Sequence, residues 1–297
     1  MKAKRMAALL LALAMVLGLT ACVNQHPEEE QQEEQETTED VRLIATSPAV
    51  AQICSRLDLP LVGICETMST VPEEYEDVTT VGMAMNPDLE IVKSLDPDYI
   101  LSPATLQSDL QPKYAGIKEA AIFLDLKSVE GMYASIQGLG EKFGRQAEAK
   151  AMTDEFDAFM EDFSASVEGK EAPQVLVLMG LPGSYIVATE SSYVGSLVRL
   201  AGGENVYGDG DGEEFLNANT EDMKTKEPDV ILRAAHAMPD RVAEMFDKEF
   251  SENDIWKHFD AVKNGRVYDL DPALFNMSAN FSYPDALSAL QPMLYGE

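Results

Sequence analysis

Residues 90–101 read Glu-Ile-Val-Lys-Ser-Leu-Asp-Pro-Asp-Tyr-Ile-Leu, and residues 221–232 read Glu-Asp-Met-Lys-Thr-Lys-Glu-Pro-Asp-Val-Ile-Leu. Both follow one pattern, E-x-x-K-[ST]-x-[DE]-P-D-x-I-L, displaced by 131 positions. Self-similarity at that distance marks two copies of one supersecondary unit. In each copy a short helix must stop before the proline, which disfavours helical backbone in the residue ahead of it. A β-branched, apolar strand follows.

The flanks of the two copies also correspond. Val41–Ala45 and Gln174–Leu178 read as buried strands, and each leads into a helix, Ala49–Leu57 and Tyr193–Ala201. A second strand closes each unit, Leu61–Ile64 and Asn205–Tyr207. Strands alternating with helices predict parallel sheets built from βαβ crossovers. Between the copies, residues 146–170 carry Met152, Phe156, Phe159, Met160, Phe163 and Val167 at spacings of three and four, the signature of one long amphipathic helix. The expected fold is therefore α/β: two Rossmann-like βαβ lobes, residues 41–145 and 171–297, joined by a single long helix. A ligand is expected in the cleft between the lobes, at the carboxyl ends of the strands.

The amino-terminal end predicts a compartment. Lys2, Lys4 and Arg5 precede an uncharged apolar run from Met6 to Leu17, and Leu19-Thr20-Ala21-Cys22 follows. Such a run is too short for a permanent span and has the flanks of an export signal. A small-residue cleavage site ending on cysteine resembles a lipobox. Residues 1–21 are thus expected to be a lipoprotein signal peptide, Cys22 the lipidated residue, and residues 22–40 an acidic flexible linker. The expected location is the outer face of the cytoplasmic membrane, with the lipid anchor as the only membrane contact.

Without the three basic residues of the signal, 19 Lys and Arg face 52 Asp and Glu. Such an acidic chain is a poor partner for nucleic acid or an anionic membrane surface. An enzyme is not expected, because Gly-x-Ser-x-Gly, the P-loop and His-Glu-x-x-His are all absent. Cys54 and Cys65 belong to no metal-spaced cluster and read as small core or loop residues, with their pairing left open.

The three histidines are His26 in the linker, His236 just past the strand Val230–Leu232, and His258 near Trp256. Only His236 falls at a strand's carboxyl end. Thr46-Ser47-Pro48-Ala49-Val50 reads as a capped helix start, with Ser47 at the cap and Pro48 in the first helical position. The open N–H groups there form an anion site without a basic side chain. Pro182-Gly183-Ser184-Tyr185 is taken as the corresponding turn of the second lobe, where Tyr185 either lies against a ligand or packs in the protein.

Signal, linker, two lobes and one connecting helix together resemble the helical-backbone class of ABC-importer substrate-binding proteins, which carry iron-siderophores, corrins and haem. Four stretches resemble its IsdE-type haem-binding lipoproteins more narrowly: residues 81–88 (Val-Gly-Met-Ala-Met-Asn-Pro-Asp), 178–185, 231–239 (Ile-Leu-Arg-Ala-Ala-His-Ala-Met-Pro) and 253–263. The resemblance implies haem as the transported ligand, captured outside the membrane and delivered to a permease dimer for iron acquisition. It implies His236 and Met85 as axial ligands from opposite lobes, with Met83 the alternative thioether. Histidine and methionine are both established haem ligands. The propionates and ring would then meet Thr46, Ser47, Ala49, Val50, Gly183, Ser184 and Tyr185. By the pattern of the class, Glu90 and Glu221, at one position of the repeat, are expected to dock the permease. Upstream haem-donor surface proteins are conceivable partners, and a monomer is the usual state. The competing reading is a siderophore or corrinoid receptor of the same fold.

Overall fold

The computed structural model describes residues 41–67, 70–117 and 121–296. The signal peptide, the linker, Cys22 and His26 lie outside the described residues.

The first sheet has the order β4-β3-β2-β1-β5-β6, comprising β1 (Leu43–Ala45), β2 (Leu61–Glu66), β3 (Thr79–Met83), β4 (Asn86–Pro87), β5 (Tyr99–Pro103) and β6 (Ala121–Leu124). All its pairings are parallel except β3 with β4. Helix α1 (Pro48–Arg56) follows β1, and α2 (Leu89–Ser94) leads into β5. Helix α3 (Gln107–Tyr114) precedes β6 and α4 (Val129–Lys142) follows it.

The repeat is reproduced bond for bond. Asp88 caps α2 by accepting from the Glu90 and Ile91 amides. In the second copy, Asn219 caps α7 (Thr220–Thr225) by accepting from those of Glu221 and Asp222. Each helix is ended by an acidic residue in the left-handed region just before the proline, Asp96 at φ 42° and Glu227 at φ 49°. The aspartate after each proline then ties back to the start of the first strand. Arg42 N–H donates to Asp98 Oδ2 and Gln174 N–H to Asp229 Oδ2, both at 2.8 Å. In return the Asp98 and Asp229 amides donate to the Arg42 and Gln174 carbonyls. These exchanges set the strand register, Leu43 opposite Tyr99 and Val175 opposite Val230.

The second sheet departs from the expected parallel unit. It comprises β7 (Gln174–Leu181), β8 (Ser184–Ala188), β9 (Glu204–Asn205), β10 (Phe215–Asn217), β11 (Val230–Ala235) and β12 (Val267–Asp269). Its order is β10-β8-β7-β11-β12, with β9 a two-residue pairing on β7. The β7/β8 and β8/β10 pairs are antiparallel. Pro182-Gly183 is therefore the tip of a hairpin closed by Leu181 opposite Ser184, not the strand-to-helix turn that the sequence suggested. The turn itself is set locally, since proline pre-sets its first central position and Gly183 at φ 90° accepts the second, which side-chain-bearing residues resist; an antiparallel strand follows it because β8 also pairs with β10. The true counterpart of Ser47 is Ser192, whose hydroxyl accepts from the Gly195 amide at the start of α6 (Tyr193–Leu200).

The connecting helix α5 runs Gln146–Val167. It stops three residues short of the expected end because Glu168 is extended and Gly169 turns at φ 78°. Its Met152, Phe156 and Phe163 join residues of both sheets in one continuous core. Phe156 stacks on Tyr133 of α4 at 4.5 Å between ring centroids. It also meets Tyr283, in the final helix α10 (Tyr283–Tyr295), edge-on at 5.7 Å. The outer faces of the two sheets carry separate cores, Ile44-Val81-Ile100 in the first lobe and Leu178-Ile231-Trp256 in the second. The described residues accordingly belong to one compact unit. Cys54 and Cys65 are buried free thiols, pushed up to about 12 and about 11 by burial.

Candidate functional site

Five parallel strands of the first sheet end on the same edge, and residues just past β6 on that edge meet the second lobe. Just beyond β6, the Leu126 carbonyl accepts from the Ala279 amide at 2.8 Å. Glu130 at the start of α4 pairs with Arg199 of α6 at 2.5 Å, and Arg199 also reaches Glu190 at 3.1 Å. Behind them, Arg56 lies 4.5 Å from the Phe281 ring. Burial raises the Glu214 carboxyl above its usual range, with Lys127 opposing and Asp125 of the first lobe adding to the rise.

On this edge the first lobe presents two elements. One is the start of α1. Ser47 Oγ accepts from the Val50 amide, and the Ala51 amide donates to the Ser47 carbonyl. Since Pro48 has no N–H, the Ala49 amide is the open donor of that turn. Thr46 and Val50 are buried at 1 % and 0 % exposure, and the Thr46 hydroxyl lies 2.7 Å from that of Ser102. They build the wall rather than offer it donors.

The other element is the β3/β4 hairpin. Gly82 faces Pro87 and Met83 faces Asn86, so Ala84 and Met85 form a two-residue tip. Met83 and Met85 are 58 % and 63 % exposed, which is unusual for large apolar side chains.

In the second lobe, His236 directly follows β11 and is exposed. Its amide donates to the Gly180 carbonyl at 2.9 Å, fixing it beside the end of β7. Ala237 and Met238 then take left-handed backbone at φ 68° and 45°. Each such residue costs about 1 kcal/mol or more, strain of the kind that collects at functional sites. The turn launches α8 (Pro239–Glu252), which packs so closely on β7 that a Cβ at Gly180 would stand 2.3 Å from Val242. Met238 is 55 % exposed, the third large apolar side chain left open among the described residues. All three are thioethers, two on the first-lobe hairpin and one beside His236.

Gly183, Ser184 and Tyr185 line a cavity of about 770 Å³ against Arg241, Met245 and Lys248 of α8. Tyr185 packs into the protein at this wall. Its ring tilts against Phe246 and Trp256 at 5.8 and 6.3 Å, and its hydroxyl donates to Glu249 at 3.1 Å. Glu249 also accepts from Trp256 Nε1 and Asn253 Nδ2. Burial opposes its charge, but the three donors prevail and hold the carboxyl below its usual range. His258 is exposed on a short turn beside the buried Trp256, away from the strand ends. Glu90 and Glu221 are both exposed second residues of capped helices. Lys113, which the sequence did not single out, donates to the Met85 carbonyl. No helix among the described residues is long and apolar enough to cross a membrane.

Comparison with known proteins matches this arrangement along most of the chain. The high-affinity heme uptake system protein IsdE of Staphylococcus aureus (strain bovine RF122 / ET3-1) is 40 % identical over 287 residues, covering 96 % of either chain. The crystal structure of S. aureus IsdE complexed with heme superposes with a TM-score of 0.80 at 42 % identity, over 86 % of this chain and 99 % of that one. An ABC transporter substrate-binding protein from Listeria monocytogenes EGD-e gives 0.82 at 48 % identity, over the same shares. A periplasmic heme binding protein from Pseudomonas aeruginosa, at 21 % identity and a TM-score of 0.65, shares the fold. The periplasmic binding protein family model matches residues 43–274, and the chain belongs to that family.

Proposed function

We propose that this chain is the haem-binding subunit of an ABC importer, taking up haem in the cleft between its lobes and delivering it to a permease. The observation that carries the reading is the placement of soft and nitrogen donors. His236 stands at a strand end of one lobe, and Met83 and Met85 stand open on a hairpin of the other. An exposed imidazole and an exposed thioether on facing lobes suit a six-coordinate iron, and Met/His ligation raises its reduction potential.

In this reading His236 and Met85 are the axial ligands, with Met83 the competing thioether. The Ala49 amide and the Ser47 edge of α1 receive a propionate at a helix amino terminus. The wall of Gly183, Ser184 and Tyr185 borders the ring on the other side. Glu90 and Glu221, matched in position and exposure, meet basic pockets on the two permease subunits. Cys22 carries the lipid that keeps the domain on the outer face of the membrane. The names of the relatives support haem over a siderophore or corrinoid.

The test is a haem titration of the purified domain followed by absorbance. One equivalent should saturate a low-spin spectrum, and a linear, unsaturable signal would refute the reading. Metabolic labelling with a radioactive fatty acid should mark the wild-type chain and not Cys22→Ala.

A further inference from the structure

Among the described residues, one basic side chain reaches the tip of the methionine hairpin. Lys113 Nζ donates to the Met85 carbonyl oxygen at 2.9 Å, across 28 positions of sequence. The hairpin needs such a tether. Its ladder has only two residue pairs, Gly82 with Pro87 and Met83 with Asn86. Strand β3 is held by β2 as far as Met83, opposite Glu66, but β4 is the edge of the sheet, so Ala84 and Met85 stand beyond the last paired residues. Its tip carries Met85 at 63 % exposure, so side-chain packing contributes little there.

Lys113 is in turn anchored. It lies in the last turn of α3, between Leu110 at 0 % and Tyr114 at 3 % exposure, both in the outer core of the first lobe. A bond from an ammonium to a carbonyl is stronger than a neutral one, because the donor is charged. The lysine thus ties the exposed methionine hairpin to a helix rooted in the outer core of the first lobe.

We propose that Lys113 is a positioning residue for the thioether ligand, holding the Ala84–Met85 tip so that the Met85 sulfur is presented at a fixed place on the cleft edge. The inference rests on the reading of Met85 as an axial ligand. Its mechanical part, that Lys113 orders the tip, stands without haem. The ammonium keeps two further N–H donors and acts on the sulfur through the Met85 backbone. Pre-ordering of this kind lowers the cost of fixing a flexible side chain when ligand binds.

The test has two arms, both on the full chain. In the ligand-free protein carrying ¹³C-methyl methionine, the Met85 signal is assigned by its loss in Met85→Ala. Lys113→Leu, which adds no labelled methyl, should shift and narrow that signal towards the position of a freely rotating methionine, and Lys113→Arg should restore the wild-type position. A Met85 signal unmoved by Lys113→Leu overturns the proposal.

In the second arm, haem is added to the same variants. Lys113→Leu should still bind one equivalent but hold the thioether less well, with the ratio of six- to five-coordinate haem falling about tenfold, the size expected for one charged hydrogen bond. In a Met85→Ala background the same change should do nothing more. A further loss there would show that Lys113 acts on haem directly, and positioning would be the wrong account. If the wild type shows no saturable haem spectrum, the haem reading fails, while the methyl signal still decides the role of Lys113.

Discussion

Truncating Phe156 to alanine should weaken both lobes at once. Phe156 is 9 % exposed, stacks on Tyr133 at 4.5 Å and meets Tyr283 edge-on at 5.7 Å, so its ring joins α5 to helices of each lobe. Phe→Ala changes in cores cost about 3–5 kcal/mol through lost transfer energy and the cavity left behind. The slight exposure favours the lower half of that range, which already contains the roughly 0.5–1.5 kcal/mol that an aromatic contact is worth beyond area burial. The expectation is a loss of about 3–4 kcal/mol. For a chain of this size that lowers Tm by about 6–15 °C. Calorimetry and denaturant melts followed by both far-UV circular dichroism and tyrosine fluorescence would measure it. Because the core runs unbroken from one sheet to the other, the probes should give one coincident transition before and after the change. Two separated transitions in the variant, or a loss below about 1 kcal/mol, would refute the idea of a shared core and make α5 a mere linker. Haem stoichiometry should stay at one, since Phe156 belongs to the core and not to the strand-end edge.

His236→Ala should cost more haem affinity than Met85→Ala, above all with ferric haem, since imidazole holds both oxidation states and thioether favours the ferrous one; equal losses in both states for the two variants would overturn that ranking, and loss of the low-spin spectrum in Met83→Ala alone would move the ligand to Met83. Glu90→Lys with Glu221→Lys should abolish uptake by cells while haem binding in solution stays normal, with either single reversal leaving part of it; wild-type transport by the double variant would remove the docking role. Glu249 bears on acid stability: its folded pKa lies below the ordinary one, so its charge stabilises the fold at neutral pH and that contribution fades as pH falls from the ordinary glutamate value towards the folded one. Glu249→Gln should therefore flatten the acid limb of a Tm-against-pH curve, and an unchanged limb would show that its three donors hold the neutral side chain equally well.

Much of the fold could be read before any coordinates because the repeat is written in residues with backbone consequences. The proline after Asp96 and Glu227 forces the helix stop, and the aspartate after it closes on the first strand; neither depends on distant contacts. The hairpin of the second lobe was misread for the opposite reason. Pro182-Gly183 is a strong turn signal, but it says nothing of whether a helix or an antiparallel strand comes next; that depended on β8 finding β10, some thirty residues on. His236 could be placed from the apolar strand ahead of it, and it stands just past β11; the choice of Met85 came from the resemblance to the haem-binding lipoproteins, and both ligand roles stay with the proposed function. Thr46 and Val50 were expected to face the ligand and are buried, since the Thr46 hydroxyl pairs with that of Ser102 and the Val50 amide with Ser47, which leaves Ala49 the open amide of the turn. Lys113 left no trace in the sequence, because an exposed lysine on a polar helix looks like any solvated charge until its acceptor is seen.

The bond-for-bond equivalence of the two helix caps has a consequence for traffic across the membrane. The two caps give each lobe one like feature, Asp88–Glu90 on the first and Asn219–Glu221 on the second. The strand-end edges are unlike, with Met83 and Met85 on one side and His236 beside Met238 on the other. A receiver made of two like halves would find the carrier acceptable either way round, which doubles the productive encounters. The cargo, gripped by unlike walls, would be seated with a fixed face towards each. On the proposed reading, likeness is kept where a partner would be met and abandoned where the iron would be held.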